Sequence, residues 1–294
     1  MPPQNNTADR STPLLKERIR TLFRHLPKAL AGEEEPLHQM RVAARRLRVA
    51  LPLLARKPRG RRVKQTLSIL RAITRAGGGS RDLDVGLTLF EERLAATEAL
   101  TPALVTLRRR LRASRARSRT RMAGSLFDIP IARLRRRLAS AVRRRGEDVF
   151  TVMSRLRDAT ESGGGEVLLA LDALADRFDP AGLHKLRIRT RRLRYTAEVF
   201  DAVKGQVSET PALFKQVQER LGRIHDAHML GAWLERQAVL AEKRGQAALA
   251  DEARRQQEWF LERSRAEHRA FLDEHPRALL ERALQAMGPT RSVA

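Results

Sequence analysis

The sequence predicts an all-α protein built by internal duplication, as two pseudo-symmetric antiparallel helical bundles packed side by side. Two observations predict it, and a third points to the partner. Apolar residues recur with a helical period along almost the whole chain of 294 residues, and convincing strand alternation is found nowhere. One stretch of 18 residues occurs twice. The formal net charge is +25, which calls for an anionic partner: nucleic acid, an anionic membrane or a phosphate polymer.

The repeated stretch runs from Leu37 to Leu54 and again from Leu183 to Phe200. Aligned without a gap, 7 of 18 positions are identical: Leu37/Leu183, His38/His184, Arg41/Arg187, Arg45/Arg191, Arg46/Arg192, Leu47/Leu193 and Arg48/Arg194. At about 100° per residue, Leu37, Met40, Ala44, Leu47, Leu51 and Leu54 fall on one stripe of a helix. His38, Arg41, Arg45 and Arg48 form a second stripe beside it, and His184, Arg187, Arg191 and Arg194 repeat that stripe. The apolar stripe must face a core, so the cationic one sits at that core's edge. A guanidinium held beside packed residues has less freedom to lose when it binds an anion. A single charge run is ordinarily a solvated face. Its recurrence with the same histidine and three arginines points to an anion site instead.

The elements follow in order. Residues 1–11 are polar with two prolines and are expected to be disordered. Thr12-Pro13 reads as an N-cap with proline at the first helical position, opening a helix to about Ala31. Glu33-Glu34-Glu35-Pro36 places acid at the start of the first motif helix, which suits its dipole. Lys57-Pro58-Arg59-Gly60 ends that helix, and a helix over 61–76 leads to a turn at Gly77-Gly78-Gly79, with another helix from near Asp82. Thr101-Pro102 opens a long basic helix reaching about Ala123. Residues 105–145 hold 15 arginines against one acid, Asp128. Among them Arg108, Arg112, Arg115 and Arg119 share one helical face, and Arg135–Arg137 and Arg143–Arg145 continue the run. Ser162-Gly163-Gly164-Gly165 reads as a linker. Asp179-Pro180 precedes the second motif helix, Thr210-Pro211 opens a helix ending at Gly222, and Asp226 starts another reaching about Gly245. Helices over 247–271 and 276–287 complete the chain. Residues 12–288 therefore read as one domain of two halves, 12–160 and 166–288, with the linker near 161–165 and a tail at 289–294.

Composition excludes several chemistries. No cysteine is present, so disulfides, thiolate catalysis and cysteine metal sites are ruled out. No run of 18 apolar residues occurs, which leaves a protein expected to be soluble and intracellular. Arginine supplies 51 of the 59 basic residues, and its planar fork pairs two donors with phosphate oxygens. No Ser/His/Asp arrangement stands out, and no Walker-type Lys-Ser/Thr follows the glycine triplet. The expectation is a non-enzymatic protein without a cofactor.

Both copies resemble the motif of the CHAD domain, the conserved-histidine α-helical domain. A second pair of segments supports the likeness. Some forty residues after each copy comes a Gly/Asp turn, Gly78-Gly79-Ser80-Arg81-Asp82 and Leu221-Gly222-Arg223-Ile224-His225-Asp226, and Ile69–Ile73 before the first matches Leu213–Val217 before the second. The resemblance covers about residues 13–288. It implies the same architecture, a basic channel at the pseudo-symmetric interface, and inorganic polyphosphate as partner. The motif residues His38, Arg41, Arg45, Arg46, Arg48, His184, Arg187, Arg191, Arg192 and Arg194 would then bind the polymer. Arg71 and Lys215 before the two turns, and the face Arg108, Arg112, Arg115, Arg119, would extend the site. The resemblance further implies a cytoplasmic location on polyphosphate granules.

Two other readings stay open. The charge alone would give non-specific, salt-sensitive binding of nucleic acid, although aromatics are only 4% of residues and no helix-turn-helix or zinc-finger pattern is seen. His184 with His225, Asp226 and His228 could hold a metal, against the repulsion of the surrounding arginines. Asp82 and Asp226 are expected to cap helices or to orient nearby arginines.

Overall fold

The computed structural model describes residues 10–143 and 148–288, with Arg143 described by its backbone alone. Among the described residues every regular element is an α-helix: α1 Ser11–Leu30, α2 Glu34–Leu54, α3 Arg61–Ala76, α4 Gly78–Ala95, α5 Pro102–Phe127, α6 Ile131–Arg143, α7 Val149–Leu174, α8 Pro180–Lys204, α9 Thr210–Glu242, α10 Ala247–Asp273 and α11 Pro276–Gln285. Of the expected tails, residues 1–9 and 289–294 lie outside the described residues, as do Arg144 and Arg145. Ser11, expected in the tail, already belongs to α1.

The periodic stripes become the core. Leu37, Met40, Ala44, Leu47, Leu51 and Leu54 of α2 are all buried, and so are Leu183, Leu186, Leu193, Ala197 and Phe200 of α8. Thr190 completes the α8 stripe, fully buried, and its hydroxyl donates to the Leu186 carbonyl at 3.0 Å, so it leaves no unmet donor. Side-chain caps form at some helix starts but not at Arg10, Glu33 or Glu209, and Thr12, expected as a cap, lies inside α1. Thr101 Oγ1 accepts from the Leu104 amide at 3.2 Å, and Asp179 Oδ1 from the Ala181 amide at 3.0 Å.

Three expected breaks are placed differently. Ser162–Gly165 is no linker but the middle of α7. A Cβ on Gly164 would stand 2.8 Å from Leu284 Cδ2, and one on Gly163 would stand 3.0 Å from Leu193 Cδ2. The glycines let α7 lie close against α8 and α11, and that packing offsets their poor helix propensity. Gly222 and Asp226 also sit inside one helix, the 33-residue α9, so Asp226 caps nothing. In the first half the helix does break, but only at Gly77. Since α4 begins at Gly78, Asp82 lies within α4 and is no cap either.

Apolar packing does not divide at 161–165. The larger core cluster runs from Leu15 to Met287 and takes residues from both halves. The smaller joins Phe90, Leu104, Leu107 and Leu111 of α4 and α5 to Trp233, Leu234 and Phe260 of α9 and α10. Within the larger cluster the two motif helices are tied by Arg46 Nε, 2.8 Å from Glu198 Oε2. Arg18 of α1 braces the same acid at 3.6 Å and donates to the Arg46 carbonyl at 3.2 Å.

Candidate anion-binding site

The contact of α2 with α8 turns the two cationic stripes toward one another. Burial, then the nearby Arg45, pulls the Arg191 guanidinium down to about 9. Arg41 is pulled to about 10 by burial and then by Arg45. Arg45 is itself lowered by burial, with Arg187 opposing its charge and Tyr195 supporting it. Four guanidiniums from the two copies thus share one neighbourhood and repel each other, a tension that an incoming anion would relieve.

Each copy also leaves a buried donor unmet. The Nε atoms of Arg41 and Arg187 are buried and have no hydrogen-bond partner. A buried donor left unpaired costs about 1–3 kcal/mol, which a ligand oxygen would recover; the Nε atoms of Arg46, Arg93 and Arg194 are also without a hydrogen-bond partner. The backbone makes room for Arg41, while Arg187 would tolerate a side chain at the matching glycine. A Cβ on Gly77 would lie 2.6 Å from Arg41 Cδ, and one on Gly222 would lie 3.6 Å from Arg187 Nη2. The break between α3 and α4 is therefore the notch in which Arg41 is seated.

Histidines and two carboxylates complete the cluster. His184 Nδ1 and His225 Nδ1 are 3.2 Å apart, with ring centroids at 4.5 Å, so one proton serves both nitrogens. Burial and then Arg187 force His225 down to about 3, and burial and then Arg187 also lower His184. In the first half Arg81 acts on His38, whose affinity for a proton falls through burial and then through Arg81. Asp226 is pushed up to about 6 by burial, against the pull of Arg187. Asp82 keeps an exposed surface. Desolvation nonetheless shifts its carboxyl upward, against the pull of Arg41, Arg187 and Arg45. Asp82 and Asp226 thus stand among arginines, although neither makes a hydrogen bond or ion pair with one among the described residues. A tighter orienter was missed: Asp84, one turn from Ser80, accepts from Arg115 Nε at 2.5 Å and from Arg119 Nη2 at 3.2 Å.

The remaining expected residues fall into two groups. His38, Arg41, Arg45, His184, Arg187 and Arg191 come together. Arg48 stands at their edge, 3.3 Å from the Thr74 hydroxyl and near the exposed Arg71. Arg46 is engaged by Glu198, and Arg194 lies over the Tyr195 ring at 4.8 Å with Glu198 at 3.8 Å. Arg46 thereby ties α2 to α8, whereas the contacts of Arg194 stay within α8. Arg192 is exposed, and Lys215 pairs with Glu219 at 3.4 Å on an open helix face. The α5 face is already paired with acids. Arg108 and Arg112 reach Glu91 at 3.8 and 2.6 Å, and Arg115 and Arg119 each reach Glu34 at 2.7 Å. Arg81 and His225 join the cluster although only their place in the Gly/Asp segments hinted at it, and Tyr195 joins it from within the second motif. Among the described residues no group of three or more His, Cys, Asp or Glu is placed to hold a metal. No helix among them is long and apolar enough to cross a membrane.

Fold and site together define an all-α protein whose histidine–arginine cluster is drawn mainly from α2 and α8, two helices with the same His/Arg spacing. The chain belongs to the CHAD domain family, whose model matches residues 13–235. Its architecture is similar to the crystal structure of the CHAD domain from the plant Ricinus communis, with a TM-score of 0.63 and 24% identity, over 92% of this chain and 90% of that one. The comparison with curated proteins gave no match.

Proposed function

We propose that the protein binds inorganic polyphosphate, non-enzymatically, in the groove where α2 and α8 meet. The observation that carries this reading is the convergence of Arg41, Arg45, Arg187 and Arg191, with unpaired buried Nε atoms on Arg41 and Arg187. Polyphosphate is a flexible chain with a charge at every phosphorus and no bases, so it needs rows of guanidiniums and no stacking platform. The aromatic of the groove, Tyr195, is buried and covered by Arg194, which supports that choice over single-stranded nucleic acid. The location that fits such a ligand is the cytoplasm, at polyphosphate granules.

Competition separates this from general affinity for polyanions. At about 0.3 M salt, where non-specific contacts to duplex DNA weaken steeply, long-chain polyphosphate is expected to displace labelled duplex at equal phosphate, and the duplex to fail in the reverse direction. If DNA wins per phosphate, the reading is wrong.

The pH dependence has a definite sign. In the empty groove His38 and His184 hold protons less tightly than a free imidazole, for the reasons of burial and cationic neighbours given above. A bound phosphate favours the imidazolium, so binding takes up protons. As pH falls through about 6, Asp226 also loses the charge that opposes the ligand. Affinity is therefore expected to be about three- to tenfold higher near pH 5.5 than near pH 8. Titration calorimetry at the two values that found equal affinity would remove both groups from the account.

A further inference from the structure

Away from the motif cluster, the start of α3 and the exposed side of α6 carry a second group of cations. Arg61, Arg62, Arg133, Arg136 and Arg137 line one basin of about 560 Å³, with Gln65 and Ser140 and no acid. Arg137 donates to Gln65 Oε1 at 2.6 Å. Among the described residues the guanidiniums of Arg61, Arg62, Arg133 and Arg136 meet neither a carboxylate nor another hydrogen-bond acceptor. They differ in this from the α5 face, where Glu34 and Glu91 answer the charge.

Next to the basin lies a cavity of about 300 Å³ walled by Leu15, Leu51, Leu54, Val63, Leu138 and Val142. Arg61, Arg62, Arg137 and Ser140 line both spaces. A cavity with an apolar wall gains from filling by hydrocarbon, and free guanidiniums gain from an oxyanion. A phosphate polymer would use the basin and leave the cavity empty. A neutral apolar molecule would do the reverse. One ligand chemistry uses both.

We propose that this face is a second binding site, for an amphipathic anion whose alkyl tail fills the cavity and whose phosphate or carboxylate head sits among Arg61, Arg62, Arg133, Arg136 and Arg137. The site is independent of the groove between α2 and α8, since it shares no residue with it.

The test is titration of the whole chain with dodecyl phosphate, laurate, butyl phosphate and dodecyltrimethylammonium, below their micelle concentrations. Dodecyl phosphate and laurate are expected to bind at least about tenfold tighter than butyl phosphate, because each buried methylene contributes about fourfold. They are expected to exceed the cationic amphiphile by a similar factor, and the tighter of the two names the head group. Arg62→Gln/Arg136→Gln should weaken both anions about tenfold or more. Ala141→Phe, which adds bulk to the cavity wall, should weaken dodecyl phosphate and spare butyl phosphate. Circular dichroism checks that each variant keeps its helices. Equal binding of the cationic amphiphile, insensitivity to the arginine pair, or full displacement by long-chain polyphosphate without any dependence on tail length would each overturn the proposal. None of these outcomes bears on the motif groove, which Arg62→Gln/Arg136→Gln leaves intact.

Discussion

Arg45→Ala/Arg191→Ala is expected to weaken polyphosphate binding by about 10²–10⁴-fold while leaving thermal stability unchanged or raised. After burial, Arg45 of α2 is the foremost charge depressing Arg191 of α8. Each charge-assisted hydrogen bond to a phosphate oxygen is worth about 1.5–3 kcal/mol. Losing two therefore removes about 3–6 kcal/mol, and about 1.4 kcal/mol is a factor of ten. The expected stability follows from the same geometry. Removing two like charges that are held together in a part-buried place relieves repulsion, whereas removing Arg46 would release Glu198 and loosen the helices. Binding by calorimetry and melting by circular dichroism read the two quantities separately. Affinity within a factor of three of the parent chain would mean that the convergence of the two ridges serves the fold and not a ligand.

Phe260→Ala is expected to cost about 3–5 kcal/mol of unfolding free energy, as other large-to-small changes of buried rings do. The ring is fully buried, 6.5 Å from the ring of Phe90 and 4.7 Å from that of Trp259, in the smaller apolar cluster. Domains of this kind hold about 5–15 kcal/mol in all, so the change removes a large share. Urea unfolding measures it. Because α2 and α8 pack in the larger cluster, the surviving folded fraction should keep its affinity for polyphosphate. A cost below about 1 kcal/mol would show that the α4/α5/α9/α10 layer is loosely packed.

What could be read from the chain, and what could not, divides by distance along it. The stripes of α2 and α8 follow from side chains three and four residues apart, and they were legible to the residue. The correspondence of His38 with His184 could also be seen, since a repeat needs no structure, but the ring contact of His184 with His225 could not. The glycines at 163–165 misled because their meaning depends on Leu193 and Leu284, which only the fold brings near. The same holds for Gly222 and Asp226, whose turn-like composition is overridden by the packing of α9. The α5 arginines looked available because Glu34 is more than eighty residues away from Arg115 and Arg119 in sequence, and no local pattern announces that pairing. The reverse applies to Arg61, Arg62, Arg133 and Arg136: charge counting alone gave no sign that they would be left without acids.

The notch at Gly77 and the acids near it have one further consequence. Arg41, Arg45, Arg81, Arg187 and Arg191 already live with two tethered counterions, Asp82 and Asp226. An orthophosphate arriving alone merely exchanges one partner for another. A polymer engages several guanidiniums in a single arrival, and every contact after the first benefits from its high effective concentration. The resident carboxylates are therefore expected to act as a threshold that multivalent guests cross and monovalent ones do not.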